Sequence, residues 1–488
     1  MGLGLLILVS VGKENIYLSA QPEITFFKIA YKRYTNFSSE PIPQYFKTTP
    51  NFGAKCTVNL AKNADLMSSM FLYIELPNIQ MENFTTTTNI STFSWVNKIG
   101  LALINYIEIE IGGYVIDRHY GDWINIWNEI TRNKSNYRGY NKMIGNIPEL
   151  SNYSQTKNST ILYIPMSFWF CLDTGLSLPL ISLIHTDIKI NVQFNDINNC
   201  YNISPSYFIN VSNNICIYQK GEYFYQNNKI IGEFIYFDPI TQYLFYNPII
   251  GIFSIPPINN TSSTFNLVGQ TSGYIMNIVP SSVVVQNTDY FKFNKPSLIT
   301  AFMLIDYIYL DNYERSKFLN NSHEYLIPLV QTVSDQIIYS MNFGYKLPLI
   351  NPVKLLVWRG RLLSNNNNND FFNYTSTIDN QDLITKSLVV INSINRMDLD
   401  SIEYYTYIPR YQYSLGNASG IYLYSFALNP KDIHPSGSLN FSKVDDAYLQ
   451  LKLKSIVNYQ NPISFKCYAV QYNLLKIAFG LGALVFNE

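Results

Sequence analysis

The chain has 488 residues, and its 34 basic and 34 acidic side chains give a formal net charge of zero. This balance argues against nucleic-acid binding as the main task, because neutralising phosphates requires clustered Lys and Arg. Charged residues make up only 14% of the chain, below the roughly 25% of ordinary soluble domains. The length exceeds what one hydrophobic core usually supports, which predicts two domains.

The aromatic content is high, with 40 Tyr and 30 Phe. These side chains provide large contact areas, and the polar tip of Tyr tolerates a partly wet interface. Together with the low charge, this composition indicates a surface that partners largely cover. A biased genome rich in Asn and Tyr codons explains the same composition equally well.

The five cysteines are odd in number, far apart and without a CxxC pair. They are Cys56, Cys171, Cys200, Cys216 and Cys467. This pattern favours a reducing compartment over a disulfide framework and does not indicate a zinc site. Cys171 has no neighbouring base in sequence, and its apolar setting favours a raised thiol pKa. We therefore interpret Cys171 as a packed residue rather than a nucleophile.

Two features mark the N-terminal region. The apolar run over residues 2–11 is too short to span a bilayer, and it lacks the basic start and cleavage site of a signal peptide. Pro22 and the basic residues that follow Phe27 predict a short helix over about 22–34. We assign its aromatic side chains to docking or core packing rather than to stacking on single-stranded nucleic acid.

From Lys55 onward the chain has the pattern of short β-strands. Residues 106–111 alternate Ile with Glu, as in a half-exposed strand, and Gly112 and Gly113 predict a hairpin turn. Asp122 then begins a predicted helix with its Trp and Ile residues on one face.

Asp117, His119 and Asp122 lie close together in sequence and form a candidate catalytic or metal cluster. No further His or carboxylate follows at ligand spacing, so a structural role is favoured. The sequence therefore predicts no catalytic residue, no metal ligand, no cofactor site and no enzymatic activity.

A joint is predicted at residues 306–327. Residues 306–310 have the pattern of a buried strand, and Asp311 with Glu314 has the spacing of a capping box. The apolar residues that follow predict a helix over 312–326, which leads into a second series of strands.

Two stretches interrupt the strand pattern. Residues 195–296 contain many short β runs and are too long for a plain loop. We expect them to form an extra β excursion on the first domain. The polar, low-complexity stretch Asn365 to Asp370 predicts an exposed, mobile tip.

Six segments, in this order, resemble the major capsid protein of nucleocytoplasmic large DNA viruses. They are QPEITFFKIAYKRYTNFS, YIEIEIGGYVIDRHYGDWINIWNEI, LYIPMSFWFCLDTGLSLPLISL, DYIYLDNYERSKFLNNSHEYLI, YSFALNPKDIHPSGSLNFSKVDDAYLQLKL and YAVQYNLLKIAFGLGALVF. The resemblance covers nearly the whole chain, although residues 195–296 look like an insertion and residues 359–385 match poorly.

This resemblance implies an all-β fold of two tandem eight-stranded antiparallel jelly rolls with a few short helices. Three copies would form a pseudo-hexagonal capsomer that tiles an icosahedral shell. The implied division is an arm with a short helix at the capsomer base (1–38), a first jelly roll (39–311, with an insertion at about 195–296), a linker helix (312–326) and a second jelly roll (327–488).

The implied partners are other copies of the chain, minor capsid and penton proteins and, through minor proteins, the inner viral membrane, without direct contact to nucleic acid. The implied location is the outer capsid of the virion, with assembly in the host cytoplasm. Two alternatives are a minor capsid or scaffold protein of the same fold and a carbohydrate-binding or glycoside-cleaving jelly roll. The second needs facing carboxylates and exposed Trp platforms, whereas the Trp residues here lie in apolar contexts.

Overall fold

The structure, a computed structural model, describes residues 3–13, 19–81, 92–131, 137–249, 254–255, 257, 265–286, 296–376, 380–396, 401–416 and 418–486. The α-helices of these residues are α1 (Leu3–Val9), α2 (Ile99–Ala102), α3 (Gly121–Thr131), α4 (Tyr137–Met143), α5 (Pro148–Ser151), α6 (Trp169–Leu172), α7 (Asn312–Asn320), α8 (Leu363–Asn367), α9 (Ile402–Thr406) and α10 (Ile408–Gln412). Single 3-10 turns lie at Thr174–Leu176, Leu180–Ser182, Ile197–Asn199 and Phe441–Lys443.

Antiparallel strands make up most of the rest. Up to the predicted joint they are β1 (Phe37–Tyr45), β2 (Lys55–Asn59), β3 (Leu66–Leu76), β4 (Ile79–Gln80), β5 (Thr92–Trp95), β6 (Ile104–Ile111), β7 (Tyr114–Tyr120), β8 (Thr156–Lys157), β9 (Thr160–Pro165), β10 (Leu178–Pro179), β11 (Ile188–Phe194), β12 (Tyr201–Ser204), β13 (Tyr207–Asn210), β14 (Tyr223–Gln226), β15 (Lys229–Asp238), β16 (Tyr243–Pro248), β17 (Asn266–Gly269), β18 (Ile275–Asn277), β19 (Val285–Gln286) and β20 (Thr300–Leu310). Beyond it they are β21 (His323–Thr332), β22 (Gln336–Ile338), β23 (Asn342–Lys346), β24 (Pro352–Leu362), β25 (Ile384–Ile391), β26 (Ile394–Asn395), β27 (Ile421–Ser425), β28 (Leu439–Asn440), β29 (Ala447–Leu453), β30 (Ile463–Ala478) and β31 (Leu481–Leu484).

The same strand order occurs twice along the chain. The first sandwich has one sheet β1-β20-β3-β9, with β10 also on β3, and a facing sheet β2-β11-β6-β7. The second sandwich has β21-β30-β24-β27 and β23-β29-β25-β26. If the eight principal strands of each sandwich are counted in chain order, both sandwiches pair first-eighth-third-sixth and second-seventh-fourth-fifth. Two facing sheets of this order form a jelly roll, and the predicted fold of two jelly rolls is confirmed.

A third sheet of seven strands lies within the stretch predicted as an insertion. It has the order β18-β17-β14-β15-β16-β13-β19 and its own core, in which Ile209, Phe224, Leu244, Leu267 and Met276 are fully buried. The sheet occupies the connection between the seventh and eighth principal strands of the first sandwich. β12 precedes it and pairs with β5 instead.

At the joint, the predicted start of the helix is confirmed and its predicted end is not. β20 leads directly into α7, where the Asp311 carboxylate accepts a 2.8 Å hydrogen bond from the backbone N–H of Glu314. The predicted helix over 312–326 is too long, because α7 ends at Asn320 and β21 begins at His323. Tyr325 and Leu326 continue the helical spacing of Phe318 and Leu319, but residues 323–332 pair with β30, and this pairing makes the segment a strand.

The helix predicted over 22–34 is wrong: this segment consists of a turn, bends and residues without regular secondary structure. A helix of this length in water depends on packing of one apolar face. The apolar side chains Ile24, Phe26, Phe27, Ile29, Tyr31 and Tyr34 would spread around a helix rather than form one stripe. All six are exposed.

The expectation that Asn365 to Asp370 form an exposed tip is also wrong. Asn365 is fully buried in α8, and its side-chain amide donates to the backbone oxygen of Asn373 at 3.1 Å. The Asn369 amide donates to the backbone oxygens of Asn198 and Tyr201, both at 2.8 Å. Amide side chains can satisfy loop backbone groups, and here they attach the stretch to the first sandwich.

The tryptophans all lie in the interior, as their apolar sequence contexts predicted. Trp95, Trp123, Trp127, Trp169 and Trp358 are buried. None is therefore available as an exposed platform for a sugar ring.

Candidate functional site at the junction of the two sandwiches

The junction is formed where α3 of the first sandwich lies on one sheet of the second. Along β24, Leu356 and Trp358 point into the core of the second sandwich. The intervening residues Leu355 and Val357 pack against α3 instead. Because side chains alternate between faces along a strand, this sheet is buried on both sides.

The contact face of α3 is apolar because Trp123, Ile126, Trp127 and Ile130 recur at helical spacing. The rings of Trp123 and Trp127 stack with their centroids 5.5 Å apart, and Trp123 also lies 5.1 Å from the Tyr468 ring on β30. Burial of these large side chains supplies a substantial hydrophobic contribution to the junction.

A glycine allows close backbone approach at the C-terminal end of α3. The backbone N–H of Gly416, in the loop before β27, donates to the backbone oxygen of Ile130 at 2.6 Å. A Cβ at position 416 would lie 2.0 Å from the backbone oxygen of Glu129. Only glycine fits this approach without displacing the helix.

A buried ion pair lies at the N-terminal end of α3. The guanidinium of Arg359, on β24, donates from Nε at 2.9 Å and from Nη2 at 2.7 Å to Oδ2 of Asp122. The hydroxyls of Tyr374 and Tyr468 also donate to this carboxylate, at 2.6 and 3.0 Å. Arg359 is 1% exposed and donates further to the backbone oxygen of Ser464 at 2.8 Å.

These contacts stabilise the charged form of the carboxylate. Burial alone would raise the pKa of Asp122, but the positive charges of Arg359 and Arg361 and the hydrogen bond from Tyr374 outweigh burial. The pKa of Asp122 is therefore well below its usual value, and the ion pair is fully formed at neutral pH.

The candidate cluster from the sequence is divided between two environments. Nε2 of His119 lies 3.0 Å from Oδ2 of Asp117, and both side chains are buried. Asp117 also accepts a 3.3 Å hydrogen bond from the backbone N–H of Val330, so this carboxylate joins β7 to β21. Asp122 belongs to the separate ion pair with Arg359. In the part of the chain that the structure describes, no three His, Cys, Asp or Glu side chains are grouped as metal ligands would be.

Cys171 lies at the edge of the first core. Burial raises the pKa of its thiol, which is opposite to what a nucleophile requires. Its Sγ lies 3.7 Å from the backbone oxygen of Ser68.

The junction also contains a buried lysine beside a cavity of about 230 Å³. Lys354, on β24, is 2% exposed, and its ammonium donates a 3.2 Å hydrogen bond to the backbone oxygen of Asp432. Burial lowers the pKa of Lys354 to about 8, although the nearby Asp432 charge acts in the opposite direction.

Comparisons with known proteins agree with this architecture. The family described as "Major capsid protein N-terminus" matches residues 25–238, and the family described as "Large eukaryotic DNA virus major capsid protein" matches residues 314–483. Probable capsid protein 4 of Acanthamoeba polyphaga mimivirus is 35% identical over 99% of both chains. The chain belongs to the large eukaryotic DNA virus major capsid protein family.

A second relative and a solved structure are similar to this chain over nearly its whole length. The major capsid protein of Pyramimonas orientalis virus is 29% identical over the full length of both chains. A chain of the PBCV-1 virus capsid has a similar fold, with a TM-score of 0.64 over 95% of this chain and 100% of that one, at 21% identity.

In this member of the capsid protein family, the described residues of the N-terminal arm have exposed apolar side chains. Phe26 and Phe27 are 91% and 98% exposed, and the apolar residues Leu5 to Val9 of α1 are also exposed. Among the described residues, no helix has the length and apolar character needed to cross a membrane. Exposed apolar patches of this kind mark interaction sites.

Sequence reasoning missed the most important junction residues of this capsid protein. Arg359 and Lys354 lie within the run VKLLVWRGRL of β24. Cations within a buried apolar strand are a usable signal, because such charges must be paired or face a cavity. Tyr374 gives no comparable signal, since nothing in sequence places it near Asp122.

We predict that Asp122→Asn destabilises the protein by about 3–5 kcal/mol, because it leaves the buried Arg359 charge without its partner. Guanidinium denaturation at neutral pH measures this change. The depressed native pKa means that the Asp122 contribution is present above its ordinary value of 3.8 and is lost as the pH falls below it. The difference between wild type and variant should therefore narrow below about pH 4.

The matched control for this prediction is Glu324→Gln, which removes an ion pair with Lys476 whose two side chains are both 52% exposed. An exposed pair contributes about 0–1 kcal/mol, so this variant should unfold almost like wild type. Equal effects of the two substitutions would contradict the assigned importance of the buried pair.

We also predict that Lys354→Met stabilises the protein by about 1–3 kcal/mol at neutral pH. The lowered pKa means that burying the charged lysine costs free energy below about pH 8. The wild type regains stability as the pH rises from about 8 to its ordinary value of 10.5, so the gain of the variant should shrink over that range. Denaturation of both proteins across this pH range is the measurement; a variant less stable than wild type at neutral pH would refute the prediction.

Proposed function

We propose that this chain is the major capsid protein of a large DNA virus and that three copies form a pseudo-hexagonal capsomer. The observation that carries this proposal is the repetition of one strand order in two sandwiches of a single chain. Two similar units per chain around a closed three-fold axis give about six similar edges. Such a capsomer can tile the facets of an icosahedral shell.

The junction supports this function because a tile must keep its two units at a fixed angle. α3 buries an apolar face on the second sandwich, and the Asp122–Arg359 pair adds directional hydrogen bonds. The similarity to a chain of the PBCV-1 virus capsid also supports an assembly role. The role proposed is structural, without catalysis.

We assign the domains from the repeated strand order. An arm precedes β1, the first jelly roll extends from β1 to β20 with its inserted sheet, α7 links the two units, and the second jelly roll extends from β21 to the C-terminal strands. These assignments follow the divisions 1–38, 39–311, 312–326 and 327–488, with the linker helix itself ending at Asn320.

The proposed partners are neighbouring copies, minor capsid and penton proteins and, through minor proteins, the inner membrane of the virion, without direct contact to nucleic acid. The exposed arm supports contacts of this kind, because its aromatic side chains are uncovered in the single chain. The proposed location is the outer capsid, with assembly in the host cytoplasm.

The oligomeric state provides the first test. The purified chain should have a mass of about 169 kDa by light scattering, three times the 56.3 kDa of one chain, with hexagonal outlines in negative-stain images. A stable monomer would contradict the capsomer proposal and would favour a single-copy binding protein.

Deletion of residues 1–20 should leave trimers intact but impair lattice assembly, because α1 is exposed and contributes to neither core. Trimer mass and the yield of assembled particles are the two measurements. Normal assembly of the truncated chain would count against a docking role for this segment.

A full-length variant provides a sharper comparison. Phe26→Ser combined with Phe27→Ser removes two exposed rings of the arm without shortening it. Tyr411→Ser, at a residue that is 90% exposed on the second sandwich, is the control for loss of an exposed aromatic side chain. Assembly should fall for the arm variant and not for the control.

A further inference from the structure

The junction cavity combines an apolar wall with residues from both sandwiches. The first sandwich contributes Trp123 and Trp127 of α3, and the second contributes Val330 of β21 and Val470 of β30. The apolar part of the lining is completed by Leu172 of α6, Pro328 of β21 and Ile433 in the loop after β27. A cavity with such a lining favours an apolar ligand group.

Lys354 adds a positive charge to this apolar wall. An ammonium group can donate three hydrogen bonds, and that of Lys354 makes one, to the backbone oxygen of Asp432. Its other close neighbour is the Tyr472 ring, whose centroid lies 5.3 Å away. Buried charges in proteins are normally paired, and no carboxylate in the described part of the chain forms an ion pair with this one.

The other titratable groups around the cavity leave this charge largely uncompensated. Lys431 lines the cavity from an exposed position in the loop after β27, and the neighbouring Asp432 is also exposed. His119 lines the cavity from the first sandwich, and its Nδ1 has no hydrogen-bond partner among the described residues. Asp117 contacts the other ring nitrogen of His119.

We propose that this cavity binds a small amphipathic anion, a medium-chain alkyl carboxylate. The carboxylate would pair with the Lys354 ammonium, and the alkyl chain would cover the indole rings of Trp123 and Trp127. One buried cation beside a mainly apolar wall matches a ligand with one negative group and one apolar tail. Because both sandwiches line the cavity, the bound ligand would also strengthen the junction between them.

The test uses the purified full-length protein with sodium octanoate as the probe. Two of the five tryptophans line the cavity, so intrinsic fluorescence reports binding, and isothermal titration calorimetry gives the affinity. Octanoate should bind saturably at neutral pH and weaken when the pH is raised to about 9.5, where Lys354 loses its proton. Octanol, which has the same tail without the charge, should bind more weakly than octanoate.

Lys354→Met should weaken octanoate binding by about ten- to a hundredfold, as expected for loss of one charge-assisted hydrogen bond. Octanol binding should change little in this variant. Lys476→Met, which removes an exposed lysine outside the cavity, is the matched control and should bind octanoate like wild type.

Two results would overturn the proposal. Absence of saturable octanoate binding would show that the cavity is not a carboxylate site. Equal octanoate affinity in wild type and Lys354→Met would show a merely apolar cleft. Neither result bears on the capsomer, whose test is the mass of the assembled protein.

Discussion

The burial of one β-sheet on both of its faces is the constraint on which the architecture depends. β24, β27 and β30 cover the core of the second sandwich with one set of side chains and α3 with the other. The two jelly rolls therefore share a packed layer and are not joined only by a linker. The junction between the two jelly rolls is therefore expected to be rigid, because close-packed layers resist small displacements.

The ion pair between Asp122 and Arg359 gives this layer a defined register. Apolar attraction has no directional preference. A carboxylate that accepts hydrogen bonds from a guanidinium and two tyrosine hydroxyls, in contrast, satisfies all of them in only one position of the helix. Buried ionic groups are weak contributors to net stability but can specify one arrangement. For the capsomer proposed above, a single arrangement of the two sandwiches is of more use than extra stability.

Local signals in the sequence predicted much of the fold and little of the junction. The helix cap at Asp311 and the alternating strand at 106–111 depend on residues that are close in sequence, so both could be predicted. The partners of Asp122 lie more than 230 positions away, and no local pattern indicates them. The errors at 22–34 and 321–326 have a related cause, because both helices were inferred from local residue spacing. In the first segment no packed apolar face supports a helix, and in the second a strand pairing takes the place of the helix.

The inserted sheet shows why this fold tolerates large additions at one connection. β11 and β20 keep their places in the first sandwich, while the chain between them builds a separate seven-stranded sheet with its own buried residues. An insertion that supplies its own core adds little cost to the parent fold beyond loop closure, which grows slowly with length. In the second sandwich the same connection, between β29 and β30, is only nine residues long, from Lys454 to Pro462. The two jelly rolls therefore keep the same strand order although one of them carries a large inserted sheet.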